Sequence, residues 1–343
     1  METTNLERVR RLSIILTALL TCTLAHAQPS SSTGARIVTS ATSFLGSLNE
    51  AQRSKVQFKF DDAEQRVKWS NLPVTITPRA GLKMGDLNEA QKKAAMALLA
   101  AMLSKSGYQK VLAIIEGDEL FKAASTGRET MFGRDLYYIS ILGKPSEKDP
   151  WMLQFGGHHL ALNITMVGRE GILTPSHTAA QPAKYTVGGK VVRPLGGETD
   201  KAFELINGLN ESQKKQAILN YKVADLVLGP GKDGKTIQSE GIKGSALSAG
   251  QQSKLLDLVN EWAGIVNEQA AEARMAEIRA NIGETWFAWS GPTTAGTIAY
   301  YRIQGPTVVI EFAPQTMGGD PTMHIHTMYR DPTNDYGKKS VGH

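Results

Sequence analysis

Two pairs of histidines are the residues of this chain best suited to chemistry. His324-Ile325-His326 lies within Met323 to Tyr329, a run whose alternation predicts a strand. Strand residues two apart point the same way, so His324 and His326 present two imidazoles on one face, with Ile325 turned to the core. His158-His159 falls in the middle of another predicted strand, Trp151 to Val167, directly after Gly156-Gly157. Neighbours in a strand face opposite sides, so one of this second pair joins the first. Three imidazoles with an open fourth position form the donor set of catalytic zinc and of several copper and iron sites. The expected cofactor is therefore a divalent metal ion, zinc, copper or iron.

Charged residues nearby extend the set. Glu311, in Val308-Val309-Ile310-Glu311-Phe312, sits among apolar residues where an unpaired carboxylate is costly to bury, which makes it a candidate fourth ligand or general base. Asp331 and Asp335 follow the second histidine pair closely and are candidates to orient imidazoles from behind. Arg330 is suited to an anionic group on a substrate. His177, in Thr174-Pro175-Ser176-His177, stands alone and reads more readily as a structural residue. The same bland reading applies to any strand histidine whose hydrogen bonds are met. No G-x-S-x-G occurs, which argues against acyl-enzyme chemistry. No phosphate-loop pattern follows Gly156-Gly157, so those glycines mark a bulge or a close approach of backbone to ligand.

The elements that must position these residues alternate in blocks. Leu87-Asn88-Glu89-Ala90-Gln91, Leu209-Asn210-Glu211-Ser212-Gln213 and Leu247-Ser248-Ala249-Gly250-Gln251 each spell a capping box, which predicts helices from Asn88 to Lys105, Asn210 to Tyr221 and Ser248 to about Asn281. The unequal intervals between them favour shared helix-start chemistry over an internal repeat. A first helix is expected after Ile37 and another from Thr199 to Leu209, while the long third helix, rich in Ala and charge, suits the surface. Strands are expected at Val56 to Phe60, Leu136 to Leu142, Thr285 to Trp289, Thr297 to Gln304 and Thr307 to Phe312, with Gly305-Pro306 as a hairpin turn. Gly168 to Gly197 shows no period and reads as a lid or a mobile connector. The fold class is α+β, a mostly antiparallel sheet with helices packed in blocks against it.

The start of the chain is an address. Arg8, Arg10 and Arg11 precede an apolar run from Leu12 to Leu24 and then Ala25-His26-Ala27, the layout of a cleavable secretory signal spanning Met1 to Ala27. Residues 28–36 are expected to be a flexible leader to a single domain over 37–343, in a periplasmic or secreted protein with no transmembrane segment after cleavage. Cleavage removes Cys22, the one cysteine, so a metal site is limited to imidazole, carboxylate and water. The formal charge of +5 falls to +4 as Arg8, Arg10, Arg11, Glu2 and Glu7 leave. The basic residues are scattered among acids with no aromatic-interleaved stripe, so no nucleic-acid partner is expected, and any small-molecule substrate is unknown.

Several separated motifs occur together: Phe60-Asp61-Asp62-Ala63-Glu64-Gln65-Arg66 with Trp69; Gly156-Gly157-His158-His159-Leu160-Ala161-Leu162-Asn163; Tyr300-Tyr301-Arg302-Ile303; and His324-Ile325-His326 through Arg330-Asp331-Pro332 and Asn334-Asp335-Tyr336-Gly337. In this order they resemble the exported family named domain of unknown function 3500, over nearly the whole mature chain. The resemblance implies one exported unit and supplies no catalytic residue. The expected function is a His-ligated metal protein, a metal-dependent hydrolase or oxidoreductase. The alternatives are a non-catalytic carrier of a metal or small ligand, and a structural domain whose histidines hold the sheet together.

Overall fold

The computed structural model describes residues 32–127, 130–317 and 319–341. The expected signal peptide, His26 and His343 lie outside them. Helices α1 (Thr33–Gly46) and α2 (Glu50–Val56) lead to strand β1 (Gln57–Phe58), the one-turn helix α3 (Ala63–Arg66) and β2 (Leu82–Lys83). Helices α4 (Glu89–Met102) and α5 (Lys105–Ala124) precede β3 (Tyr138–Leu142), β4 (Trp151–Gly157), β5 (Leu160–Val167), β6 (Glu170–Ile172) and β7 (Ser176–Ala180). A small hairpin follows, β8 (Tyr185–Val187) with β9 (Lys190–Val192). Then the order of elements returns: α6 (Gly196–Asn207), α7 (Glu211–Ala217), β10 (Ile242–Lys243), α8 (Ala249–Ala263), α9 (Glu268–Ala280), β11 (Trp286–Ser290), β12 (Tyr300–Gln304), β13 (Val309–Pro314) and β14 (Ile325–Arg330).

This succession is an internal repeat, and it corrects the reading of the capping boxes as unrelated helix starts. Asn49 with Gln52 forms a fourth box, and Asn88 with Gln91 forms the next; Asn210 with Gln213 and Ser248 with Gln251 are their counterparts. In each half the two box glutamines bond each other, Gln52 with Gln91 and Gln213 with Gln251. The buried stripe Ala95, Leu98, Leu99, Met102 of α4 recurs as Leu255, Leu258, Val259, Trp262 of α8, both at the spacing that puts four residues on one helix face. So α8 is a core helix rather than a surface one. It also stops at Ala263: the single helix expected to about Asn281 is two.

The halves are joined about an approximate twofold axis. Among the described residues twelve strands form one sheet, running β1-β3-β4-β5-β7-β14-β13-β12-β11-β10, with β2 and β6 attached to β3 and β5. Its pairings are antiparallel except β1 with β3 and an isolated parallel bridge between Ile218 and Trp289. At its centre β7 and β14 meet with Thr178 opposite Thr327, their hydroxyls 2.8 Å apart. Beneath them Leu103 bridges Val266, with Ser104 N donating to Ile265 O and Asn267 N to Met102 O. These bonds are reciprocal, as a twofold relation requires.

All the long helices pack on one face of the sheet, where two apolar clusters lie side by side, one per half. The other face is covered by irregular segments around Trp69, Leu226 and Tyr336. Helix α1 begins at Thr33, with Ser32 as its cap, earlier than the Ile37 expected for the start of order. Strand β7 runs through the stretch read as a lid or connector. All five of its residues are buried, which removes the alternation that would have revealed it. Among the described residues no helix is long and apolar enough to cross a membrane.

Candidate metal centre

On β14 the sequence logic holds. Ile325 packs among the helix-side core, while His324 and His326 face the other way and bring their Nε2 atoms to 2.9 Å. The other pair behaves differently from a continuous strand. Trp151 to Val167 folds back as the hairpin β4–β5, and His158 and His159 are its two turn residues between the paired Gly157 and Leu160. The tight reversal depends on Gly156, where a Cβ would stand 2.3 Å from the Leu160 carbonyl. His159 closes the turn at φ 65°, a left-handed conformation that histidine adopts more readily than bulkier residues.

Strand pairing then aims the ring. His159 O accepts from Ala179 N, and Ala179 pairs with His326, so the three residues form a row across β7. Ala179 is fully buried and contributes only a methyl, which leaves room for the flanking imidazoles to meet above it. His159 Nε2 stands 3.0 Å from His324 Nε2. His159, His324 and His326 thus converge three ring nitrogens, all within 4.8 Å of one another, and could hold a metal ion.

The outer nitrogens are held as a metal site needs. His324 Nδ1 is 2.7 Å from the Met317 carbonyl; a carbonyl only accepts, so Nδ1 carries the proton and Nε2 keeps its lone pair. Asn71 reaches His326 Nδ1, its Nδ2 3.2 Å away, and an amide turned end for end offers an oxygen that holds Nδ1–H. An ion about 2.0–2.1 Å from each nitrogen would see nitrogens about 3 Å apart at angles near 90°, and a tetrahedral ion would spread them to about 3.4 Å. Either lies within a small side-chain adjustment.

Burial disfavours the charged form of these rings. Desolvation, reinforced by the neighbouring imidazoles, holds His159 and His326 well below the ordinary histidine range and lowers His324 also. His177 joins the cluster on the same face, its ring 5.3 Å from that of His326, and burial brings its pKa down to about 3. Neither of its nitrogens has a partner. His158 is excluded from the three-nitrogen group: its ring lies against that of His159 at 3.5 Å, and its Nδ1 is 2.6 Å from Asp118 of α5. Neither Asp118 nor the placement of His177 is legible in the sequence, because no capping box marks α5 and β7, buried along its length, shows no alternation.

The charged candidates lie elsewhere. Glu311 is fully buried, but its oxygens accept from Val227 N, Leu228 N and the Tyr300 hydroxyl, which ties down the segment crossing the sheet. Arg330 donates to Leu228 O, Gly229 O, Asp233 and Asp335, leaving its guanidinium engaged by the protein. Asp335 also accepts from Asp331 N, while Asp331 binds Thr333 within its turn and pairs with Arg274 at 3.0 Å. None of the four belongs to either group of potential ligands; the partners found on the outer imidazole nitrogens are Met317 O at His324, Asn71 at His326 and Asp118 at His158. Glu311→Ala, which strands two backbone donors, is expected to cost about 3 kcal/mol or more in urea unfolding while leaving metal content unchanged. Loss of the ion in a folded Glu311→Ala protein would restore Glu311 as a ligand.

Gly229 to Thr236 spells G-x-x-x-x-G-K-T, the phosphate-loop string. No strand precedes it and no helix follows it, and its Asp233 is spent on Arg330 and the Tyr336 hydroxyl. It is a structural loop. The same knot takes in the Trp69 indole, which donates to Tyr336 Oη.

Residues 30–338 match a family described as protein of unknown function (DUF3500). No curated protein and no solved structure matches the chain.

Proposed function

The chain belongs to that family, whose description assigns no activity, and from its own residues we propose that it is an exported metalloprotein, periplasmic or secreted, that holds a divalent transition-metal ion on His159, His324 and His326. The observation that carries this reading is the convergence of three Nε2 atoms, at 2.9 and 3.0 Å, from two distant segments. Neutral imidazoles brought together in a buried place lose hydration, and an ion shared by their lone pairs offsets that loss. An all-imidazole set suits zinc, copper or iron.

Three neutral ligands leave the ion's full charge to act on whatever occupies its remaining positions. With zinc this chemistry is hydrolysis, and with copper or iron it is oxidation. The chain's own part is to fix the imidazoles from behind, through Met317 and Asn71, and to exclude competing ligands. His324 and His326 keep 7 and 8 % of their surface, so the centre lies just under the solvent boundary, within reach of a small substrate.

Elemental analysis of protein recovered from the exported fraction tests the reading. Wild type is expected to hold stoichiometric metal, and His324→Ala with His326→Ala is expected to hold none at that site. Wild-type protein that takes up neither zinc, copper nor iron at micromolar concentrations would sink it. Metal-loaded protein that turns over no ester, phosphoester or oxidisable phenol would place it among carriers.

A further inference from the structure

We infer that the histidine cluster holds two ions, with His159 bridging them: a second site is formed by Asp118, His158 and the Nδ1 of His159. The inference rests on the three-histidine reading above. One ligand atom from each of Asp118, His158 and His159 lies within 4.8 Å of the others, and all three residues are buried. This group shares only His159 with the first.

The observation that points to a ligand is the state of His159. Its Nε2 faces His324, while its Nδ1 is buried with no hydrogen-bond partner. A buried polar atom left unpaired costs about 1–3 kcal/mol, and folds seldom leave one beside groups able to satisfy it. Asp118 and His158 satisfy each other at 2.6 Å, so as a hydrogen-bonded pair they do nothing for His159. An ion among the three serves all of them.

The chemistry is consistent with that placement. Imidazole carries its two nitrogens on different edges, so one ring can bind two ions at once when the Nδ1 proton is released to solvent. Two dications sharing a ring repel, and the resulting imidazolate together with the Asp118 carboxylate supplies two negative charges against them. The first site has no carboxylate; the second has one where the charge demands it. Gly133 N donates to Asp118 Oδ2 at 2.9 Å, which turns Oδ1 toward His158. Phe132 packs on the His158 ring at 4.7 Å and shields the pair from water, where a charged ligand binds a cation more tightly. To admit an ion, the Asp118 carboxylate must draw back from its 2.6 Å contact with His158, and the His158 and His159 rings, stacked at 3.5 Å, must turn until their nitrogens face one point.

The test is a titration of the full mature chain with Cu(II) and, separately, Zn(II), followed by equilibrium stoichiometry and, for copper, by electron paramagnetic resonance. Two equivalents are expected, and the copper signal is expected to weaken as the second equivalent binds, because spins joined through an imidazolate couple. Asp118→Ala and the near-isosteric Asp118→Asn are expected to bind one equivalent with an undiminished single-ion signal. The second variant decides should the first fail to fold, and circular dichroism confirms the fold of each. Wild type holding one equivalent overturns this inference and leaves the three-histidine site standing. Wild type holding none overturns both. Two equivalents in Asp118→Asn as in wild type would put the second ion elsewhere and also overturn it.

Discussion

Adding zinc to chelator-treated protein is expected to raise its melting temperature by about 5 °C at a free-ion concentration a hundredfold above the dissociation constant, since binding to the native state alone contributes about 2.7 kcal/mol there. The size follows from where the ligands lie. His159 belongs to the first half of the repeat and His324 and His326 to the second, so the ion is bound only while both halves are folded and docked. Unfolded chain offers the same imidazoles without convergence. His159→Ala, which removes the residue common to both groups, is therefore expected to lose the zinc-dependent shift entirely, and His326→Ala to lose the part that the three-histidine site contributes, although the two residues lie far apart in sequence. Differential scanning calorimetry with and without zinc reads the effect directly. A shift retained in His159→Ala, or an undiminished one in His326→Ala, would show the ion bound elsewhere, and no shift in wild type would remove the site as a stabilising feature.

The metal-free protein is expected to lose stability steeply below pH 6.5. His159, His177, His324 and His326 are all held below their ordinary pKa by burial, so the folded chain binds fewer protons than the unfolded chain once the pH drops below 6.5. Their contribution is fully present above 6.5 and is lost as the pH falls toward the folded values, which for His177 means down to about 3. Each imidazole in that window adds a slope approaching about 1.4 kcal/mol per pH unit. Burial raises the carboxyl groups of Glu198 and Asp335, which opposes the trend in the acid range. Urea unfolding of the apoprotein from pH 7.5 to 5 measures the slope, and His177→Leu, which removes one buried base, is expected to flatten it. A stability that stays level over that range would mean the rings are hydrated rather than buried.

Both effects depend on the same construction, a site placed on the seam of a repeat. His177 and His326 occupy equivalent positions on the two central strands, yet the ligand set is not symmetric. The β12–β13 turn, which corresponds to the His158-His159 hairpin, contains Gly305 and Pro306 instead. One half thus supplies a turn histidine and the other a strand pair.

The sequence by itself determined what depends on neighbours in the chain. Period-two alternation put His324 and His326 on one face with Ile325 opposite, and their Nε2 atoms do meet. Box chemistry placed the starts of α4, α7 and α8, and the order of helix and strand blocks gave the α+β class. The separated motifs marked the family. Tertiary structure alone decided the rest. Which of His158 and His159 points inward was settled by a two-residue turn and by the pairing of Ala179 with both His159 and His326, contacts that no local pattern encodes. Glu311 and Arg330 are engaged by the segment 227–233 arriving from elsewhere in the chain, while Asp331 and Asp335 are held by Thr333, Arg330 and the Arg274 of α9. His177 and Asp118 entered because β7 is buried on both faces and so shows no alternation, and because α5 carries no capping box to announce it. A metal site needs nitrogens within a few ångströms of one point, and that closeness is set by long-range strand order, which local spacing does not contain.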